Sequence, residues 1–190
     1  MPALTEEDAR MRKFEEKIRD GTPALGTMIK GGPHLIDYIA QAGFDFVIPD
    51  LMLSGIDWDT LAHMTRACHA ENMGCLPRLQ AYPFAGGGDD NRLVADAARA
   101  LYLKVDGISM SVKSAGEVRQ VVGVHGDWHR GVAPTGPEHV KQLDAESRQR
   151  TLIMASIESK ASVEQADEII DVENLTGIFI AWHDFTRSVG

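Results

Sequence analysis

Short apolar runs and longer amphipathic stretches take turns along most of this chain. After a charged segment, about 4–20, that reads as a helix opened by Thr5 with acids in its first turn, Gly21, Thr22 and Pro23 end the pattern. An apolar run at 24–29 predicts the first strand, and the GGP turn at 31–33 leads into a helix over 34–41. FDFVIPD at 44–50 predicts the second strand. A helix over 57–72, started by Asp57, carries Leu61, Met64 and Cys68 on one face. CLPRLQ at 75–80, VDGISMSV at 105–112 and a segment around Val132 read as further strands, with helices over 91–103, from about Ser114, and over 138–149. The chain closes with an apolar run from Leu152 to Ile157, an amphipathic segment, and a second apolar run at 178–180. Seven strands alternating with helices about every 25 residues, without consecutive hairpins, predict a parallel α/β architecture. Periodicity does not separate an open sheet from a barrel.

The last forty residues carry the most pointed chemistry. The run ending at Ile157 is followed at once by Glu158, and the run at 178–180 is followed within four residues by Asp184. Parallel strands end at the same side of a sheet, so these two carboxylates can face one another there, an arrangement that suits a hard divalent ion such as Mg²⁺ or Mn²⁺. The plainer alternative has Glu158 capping the next helix and Asp184 capping a turn.

Composition narrows the partners. The 190 residues are 44% apolar, enough for a substantial core, and the length fits one domain, 1–190. A net charge of −9 argues against nucleic acid or an acidic membrane surface, both of which select basic proteins. A small anion stays compatible if Arg78 and a metal gather positive charge locally. No apolar run approaches a membrane span and the N-terminus lacks a signal-peptide core, so a cytoplasmic location is expected. Cys68 and Cys75 are too sparse for a disulfide framework or a zinc site and read as buried thiols. AGGGDD in the 84–90 loop lacks the lysine and spacing of a phosphate loop, and its acids would repel phosphate.

The segment IESKASVEQADEIIDVENLTGIFIAWHDFTRSVG resembles the HpcH/HpaI aldolase family of class II pyruvate aldolases. Weaker likeness runs upstream through GTPALGTMI, AGFDFVIPD, LPRLQ, VDGISMSV and HRGV, covering nearly all of the chain after about residue 20. The resemblance implies a TIM (β/α)8-type barrel with its site at the C-terminal strand ends, and a divalent cofactor, Mg²⁺, Mn²⁺ or Co²⁺, held by Glu158 and Asp184. It also implies carbon-carbon lyase or aldolase chemistry on a pyruvate-like or oxaloacetate-like 2-oxo acid, through a metal-stabilised enolate. Citrate-synthase-like condensation and 2-oxo acid decarboxylation use the same enolate. A non-catalytic barrel relative, serving as a binding or assembly subunit, is the alternative from another class.

Residue by residue, Arg78 in LPRLQ matches the family arginine that contacts substrate, where a guanidinium holds a carboxylate or enolate oxygen by paired hydrogen bonds. Asp50 matches the aspartate of an Asp-x-Glu-His motif, but Met52 and Leu53 stand where the family has glutamate and its histidine base. Leucine cannot move a proton. His183, Asp50 or a metal-bound water are the candidate replacements, and an ordinary structural role is the alternative for His183. Trp182 replaces a family proline, which implies either a re-lined cavity or plain packing; Ser156 stands where many relatives have glutamine and is a candidate substrate contact. Gly131 reads as structural and Arg130 as an ion-pair former. His125 and His129 read as solvated, and His63 and His69, six apart on one helix, share no face. Seven strands leave a barrel of this kind incomplete, with two long edges, so a homo-oligomer or a complementing chain is expected to cover the gap.

Overall fold

The fold is described from a computed structural model, for residues 12–79, 90–124 and 135–189. The chain divides into two compact units with the boundary between Arg78 and Leu79.

The first unit begins with α1 (Arg12–Arg19) and continues through β1 (Gly26–Ile29), a 3-10 turn at Pro33–Leu35, α2 (Ile36–Gln41), β2 (Phe46–Pro49), α3 (Trp58–Ala70) and β3 (Gly74–Cys75). The expected start of α1 at Thr5 lies outside the described residues. Its end is where the sequence puts it: Gly21 takes a left-handed φ of 68°, and Thr22 N–H bonds the Lys17 carbonyl at 2.8 Å. The three strands form a parallel sheet in the order β1-β2-β3, with Ile29 opposite Pro49 and Val47 opposite Cys75. Asp57 caps α3 by accepting the Thr60 N–H at 2.8 Å, and the Thr60 side chain and N–H hold its carboxyl below the usual range. Leu61, Met64 and Cys68 of α3 are fully enclosed, as their spacing predicts. Each large apolar side chain so buried contributes about 1.5–3 kcal/mol. Phe14 of α1 lies over Gly74, where an added Cβ would come within 2.6 Å of its ring, and packs against Phe46 with the rings tilted by 45° and their centroids 5.2 Å apart. The glycine lets the helix approach the sheet.

The second unit holds α4 (Asp90–Tyr102), β4 (Gly107–Ser111), α5 (Ala115–Val124), α6 (Pro137–Arg150), β5 (Leu152–Ile157), α7 (Lys160–Glu164), α8 (Ala166–Ile170), β6 (Gly177–Ile180) and α9 (Trp182–Val189). Its strands form a second parallel sheet, β4-β5-β6, with Ser111 opposite Ser156 and Ile157 opposite Ile180. β4 is buried at every position, the pattern of a strand covered on both faces. On α4, burial raises the Asp96 carboxyl above its ordinary range, while Arg92 and Arg99 pull it back.

Four features differ from the sequence reading. The third strand, expected over 75–80, is only Gly74–Cys75, followed by a single bridge at Arg78. Six strands lie among the described residues, and the one expected around Val132 falls outside them, as do Arg130, Gly131, His125, His129 and residues 84–89 of the expected loop, whose last residue, Asp90, instead opens α4. The amphipathic segment after Glu158 is two short helices separated at Gln165, not one. Residues after β6 form α9, where no helix was expected. β6 itself leaves Ile178, Phe179 and Ile180 exposed, the last at 65%. Among the described residues no helix is long and apolar enough to cross a membrane.

Candidate active site

In the first unit three strands deliver charged residues at one level. β1 is followed directly by Lys30, β2 by Asp50, and the chain beyond β3 pairs with β2 again at Arg78. The backbone sets this level: Asp50 N–H donates to the Ile29 carbonyl at 2.9 Å, Arg78 N–H to the Pro49 carbonyl at 2.8 Å, and Leu51 N–H to the Arg78 carbonyl at 3.1 Å. Residues paired across a parallel sheet project to the same face. Asp50 is fully buried. Its Oδ1 accepts the N–H groups of Met52 and Leu53, both at 3.1 Å, its carbonyl accepts the Ser54 hydroxyl, and Ser54 Oγ accepts the Ile56 N–H at 3.1 Å. The loop from Leu51 to Ile56 is therefore held to Asp50 by its carboxylate at Met52 and Leu53 and by its backbone carbonyl at Ser54. Leu53 is half exposed and pinned by its own backbone. Asp50 Oδ2 is buried, accepts no hydrogen bond, and has Lys30 Nζ 3.9 Å away. Arg78 is half-buried.

In the second unit Glu158 and Asp184 lie beyond the ends of adjacent strands, one residue past β5 and four past β6. Glu158 does not cap the next helix, because that cap belongs to Ser159, which forms a reciprocal capping box with Ser162. Glu158 is half-buried, with Oε2 enclosed, and its N–H donates to Ser162 Oγ at 3.1 Å. Asp184 is exposed in the first turn of α9, where an acid is favoured by the helix dipole. His183 and Trp182 are exposed on the same turn. The His183 carbonyl accepts the Thr186 hydroxyl at 2.9 Å, and Trp182, 68% exposed, packs its ring 5.8 Å from Phe185. Ser156 is buried on β5, two residues before Glu158 and so on the same strand face.

Two carboxylates at neighbouring strand ends suit a hard divalent ion in kind. Among the described residues no group of three or more His, Cys, Asp or Glu is arranged to hold a metal. If they shared one ion, Glu158 and Asp184 would supply two protein ligands and leave the other positions to water and substrate oxygens.

Two residues in these positions escaped the sequence reading. Lys30 follows the apolar run TMI as Asp50 follows VIP, a signal that was there to be used. Ser111, whose buried Oγ has no hydrogen-bond partner, faces Ser156 across β4 and β5. That pairing required the register. Elsewhere His63 meets Arg66 on the surface at 3.1 Å.

The profile of the family described as HpcH/HpaI aldolase/citrate lyase matches residues 87–190, more than half of the chain. The 2-keto-3-deoxy-L-rhamnonate aldolases of Escherichia coli O17:K52:H18 (strain UMN026 / ExPEC) and Escherichia coli O157:H7 are each 24% identical over 189 aligned residues, covering 93% of this chain. The chain spans 66% of the length of these relatives. Among solved structures, the citrate synthase SbnG superposes with a TM-score of 0.77 at 25% identity, over 93% of this chain and 68% of that one. An HpcH/HpaI aldolase from Desulfitobacterium hafniense DCB-2 superposes with a TM-score of 0.75 at 21% identity, over 93% and 68%. The chain belongs to the HpcH/HpaI aldolase/citrate lyase family.

Proposed function

We propose that the protein is a divalent-metal-dependent carbon-carbon lyase of the aldolase kind, acting on a pyruvate-like or oxaloacetate-like 2-oxo acid by way of an enolate. The observation that carries this reading is the register that sets Arg78 beside the buried Asp50 at the C-terminal ends of parallel strands, in a chain of the aldolase/citrate lyase family. The likeness to solved relatives supports taking the two sheets as parts of a (β/α)8-type barrel, in which chemistry belongs at those strand ends.

Arg78 holds a substrate carboxylate or the developing enolate oxygen by paired, charge-assisted hydrogen bonds. Asp50 is a positioning residue: its Oδ1 fixes the Met52 and Leu53 amides and with them the loop beside Arg78. Glu158 and Asp184 hold the ion, Mg²⁺, Mn²⁺ or Co²⁺, which when bound supplies positive charge for the 2-oxo acid oxygens. Leu53 cannot serve as base. Asp50 is enclosed, whereas His183 is exposed next to Asp184, so His183 is the better candidate to move the proton. Ser156, on the strand face that leads to Glu158, and Trp182 are the remaining candidates for substrate contact.

A citrate-synthase-like condensation is the second reading, favoured by the superposition on citrate synthase SbnG. The exposed apolar row on β6 supports association of that edge with another copy or a complementing chain; a monodisperse monomer in light scattering would contradict it. The test of function is elemental analysis together with oxaloacetate decarboxylation and aldol-cleavage assays, run with added Mg²⁺, Mn²⁺ or Co²⁺ and with a chelator. Turnover that needs the ion supports the lyase. Absence of both bound ion and turnover would favour a non-catalytic assembly subunit.

A further inference from the structure

Aldol cleavage by way of an enolate moves two protons: one leaves a hydroxyl and one arrives on the enolate carbon. His183 is the candidate for the first, and the second has no residue assigned to it. A group suited to it stands at the end of the first sheet. Lys30 is in register with Asp50, because Ile29 lies opposite Pro49 and the Asp50 N–H donates to the Ile29 carbonyl at 2.9 Å. The two side chains therefore leave the same face of the sheet. Asp50 is fully buried, with Oδ1 taken up by the Met52 and Leu53 amides. Its Oδ2 is enclosed as well and accepts no hydrogen bond, and Lys30 Nζ lies 3.9 Å from it. That separation is too long for a hydrogen bond and short enough for attraction between opposite charges.

An ordinary surface ion pair joins two exposed side chains and is worth little. Here one partner is buried and fixed by the loop it organises, while the lysine side chain is 59% exposed. A lysine ammonium carries three N–H donors, and none of them is spent on Oδ2. The buried anion therefore steadies a proton donor that solvent and a ligand can both reach.

We propose that Lys30 is the catalytic general acid that protonates the enolate carbon, with Asp50 as its positioning residue through Oδ2. This rests on the lyase reading and deepens it by assigning the second proton transfer. Neighbouring strands lie 4.7–4.9 Å apart, so Lys30 and Arg78, on either side of Asp50, start roughly 9–10 Å from one another, and the flexible four-carbon stem of lysine reaches a small 2-oxo acid held at Arg78. In the step, an N–H bond of the ammonium breaks and a C–H bond forms at the enolate carbon, using the electron pair of the enolate. A 2-oxo acid and a neutral amine result, and the exposed amine takes its next proton from water. Run backwards, the same amine removes a proton from the methyl group of pyruvate.

The test follows exchange of the pyruvate methyl protons in heavy water by proton NMR with Mg²⁺ present. Beside it, single-turnover release of carbon dioxide from oxaloacetate reports formation of the enolate, which does not need that proton. Wild type is expected to do both. Lys30→Met, checked for fold by circular dichroism, should slow exchange about 10²-fold or more and leave carbon dioxide release and the calorimetric affinity for pyruvate near wild type. Lys30→Arg keeps the charge but does not give up its proton, so it should not restore exchange. Lys30→Cys alkylated with 2-bromoethylamine regains an amine of nearly the same length and should restore much of it; Cys68 and Cys75 are buried away from the reagent. Exchange in Lys30→Met at the wild-type rate would overturn the assignment and leave the lyase reading standing, as would a wild type that decarboxylates oxaloacetate without exchanging pyruvate. Recovery in Lys30→Arg, or a loss of pyruvate affinity large enough to explain the slower exchange, would make Lys30 a charge contact and also overturn it. A wild type that neither exchanges pyruvate nor decarboxylates oxaloacetate with Mg²⁺, Mn²⁺ or Co²⁺ would overturn both proposals.

Discussion

The strand ends of the two units use similar residues in opposite ways. In the first, Asp50 sits one residue past β2, takes two backbone N–H groups on Oδ1 and is fully enclosed. In the second, Asp184 sits four residues past β6, on the exposed first turn of α9. An acid adjoining the sheet is positioned by ladder hydrogen bonds; one carried on a following helix is positioned by how that helix starts. The first arrangement is therefore structural, whereas the second leaves its carboxylate at the surface.

Stability should expose this contrast most strongly. Asp50→Ala leaves the Met52 and Leu53 amides without their acceptor in a part-buried loop and removes a fully buried side chain, at an expected cost of about 1–3 kcal/mol. Asp184→Ala, at an exposed site, should change stability by no more than about 0.5 kcal/mol. Denaturant unfolding of the two variants checks the pair, and equal losses would erase the distinction.

Catalysis gives the next contrast. Leu53 is held by its own amide on the Asp50-organised loop, so Leu53→His should present an imidazole from a fixed backbone and raise turnover, by about 10²-fold if general base catalysis is what is missing. His183→Ala should lower turnover by a similar factor if His183 now moves the proton. An unchanged rate in that variant would dismiss His183 and leave the metal reading intact.

The smallest effect concerns pH and has opposite signs in the two units. Asp57 has a lowered pKa, owing first to its hydrogen bond with the Thr60 side chain and then to the Thr60 N–H, so its stabilisation is present above the unfolded-state value and fades as pH falls through the folded one. Asp57→Ala should lower the melting temperature at neutral pH and not in strong acid. Asp96 has a raised pKa, owing to burial, so the stability it contributes is present at low pH and lost as pH rises through the folded value. Asp96→Asn should raise the melting temperature at neutral pH and leave it unchanged in acid. Melting curves at both pH values check the signs.

How much of this was legible in the sequence follows the same division. Glu158 past β5, Asp50 past β2 and the enclosed face of α3 could be read because strand and helix periods set them directly. α9 could not: WHDFTRSV has few apolar residues and follows a short exposed strand, so nothing in its pattern separated a helical turn from a loop. The break at Gln165 was hidden because two five-residue helices leave the same apolar spacing as one. Lys30 was legible and passed over, since a lysine after a glycine-flanked strand looks like a solvated end until the register sets Asp50 beside it. Ser111 opposite Ser156 belongs to pairing between strands some forty residues apart, which no local pattern encodes.

The most direct measurement is Mn²⁺ binding followed by electron paramagnetic resonance in wild type, Glu158→Gln and Asp184→Asn, each checked for fold by circular dichroism. If these two acids share one cation, wild type binds Mn²⁺ stoichiometrically and each folded variant loses it. Undiminished binding in both variants, or none in wild type, would contradict that claim and leave family membership without the proposed chemistry.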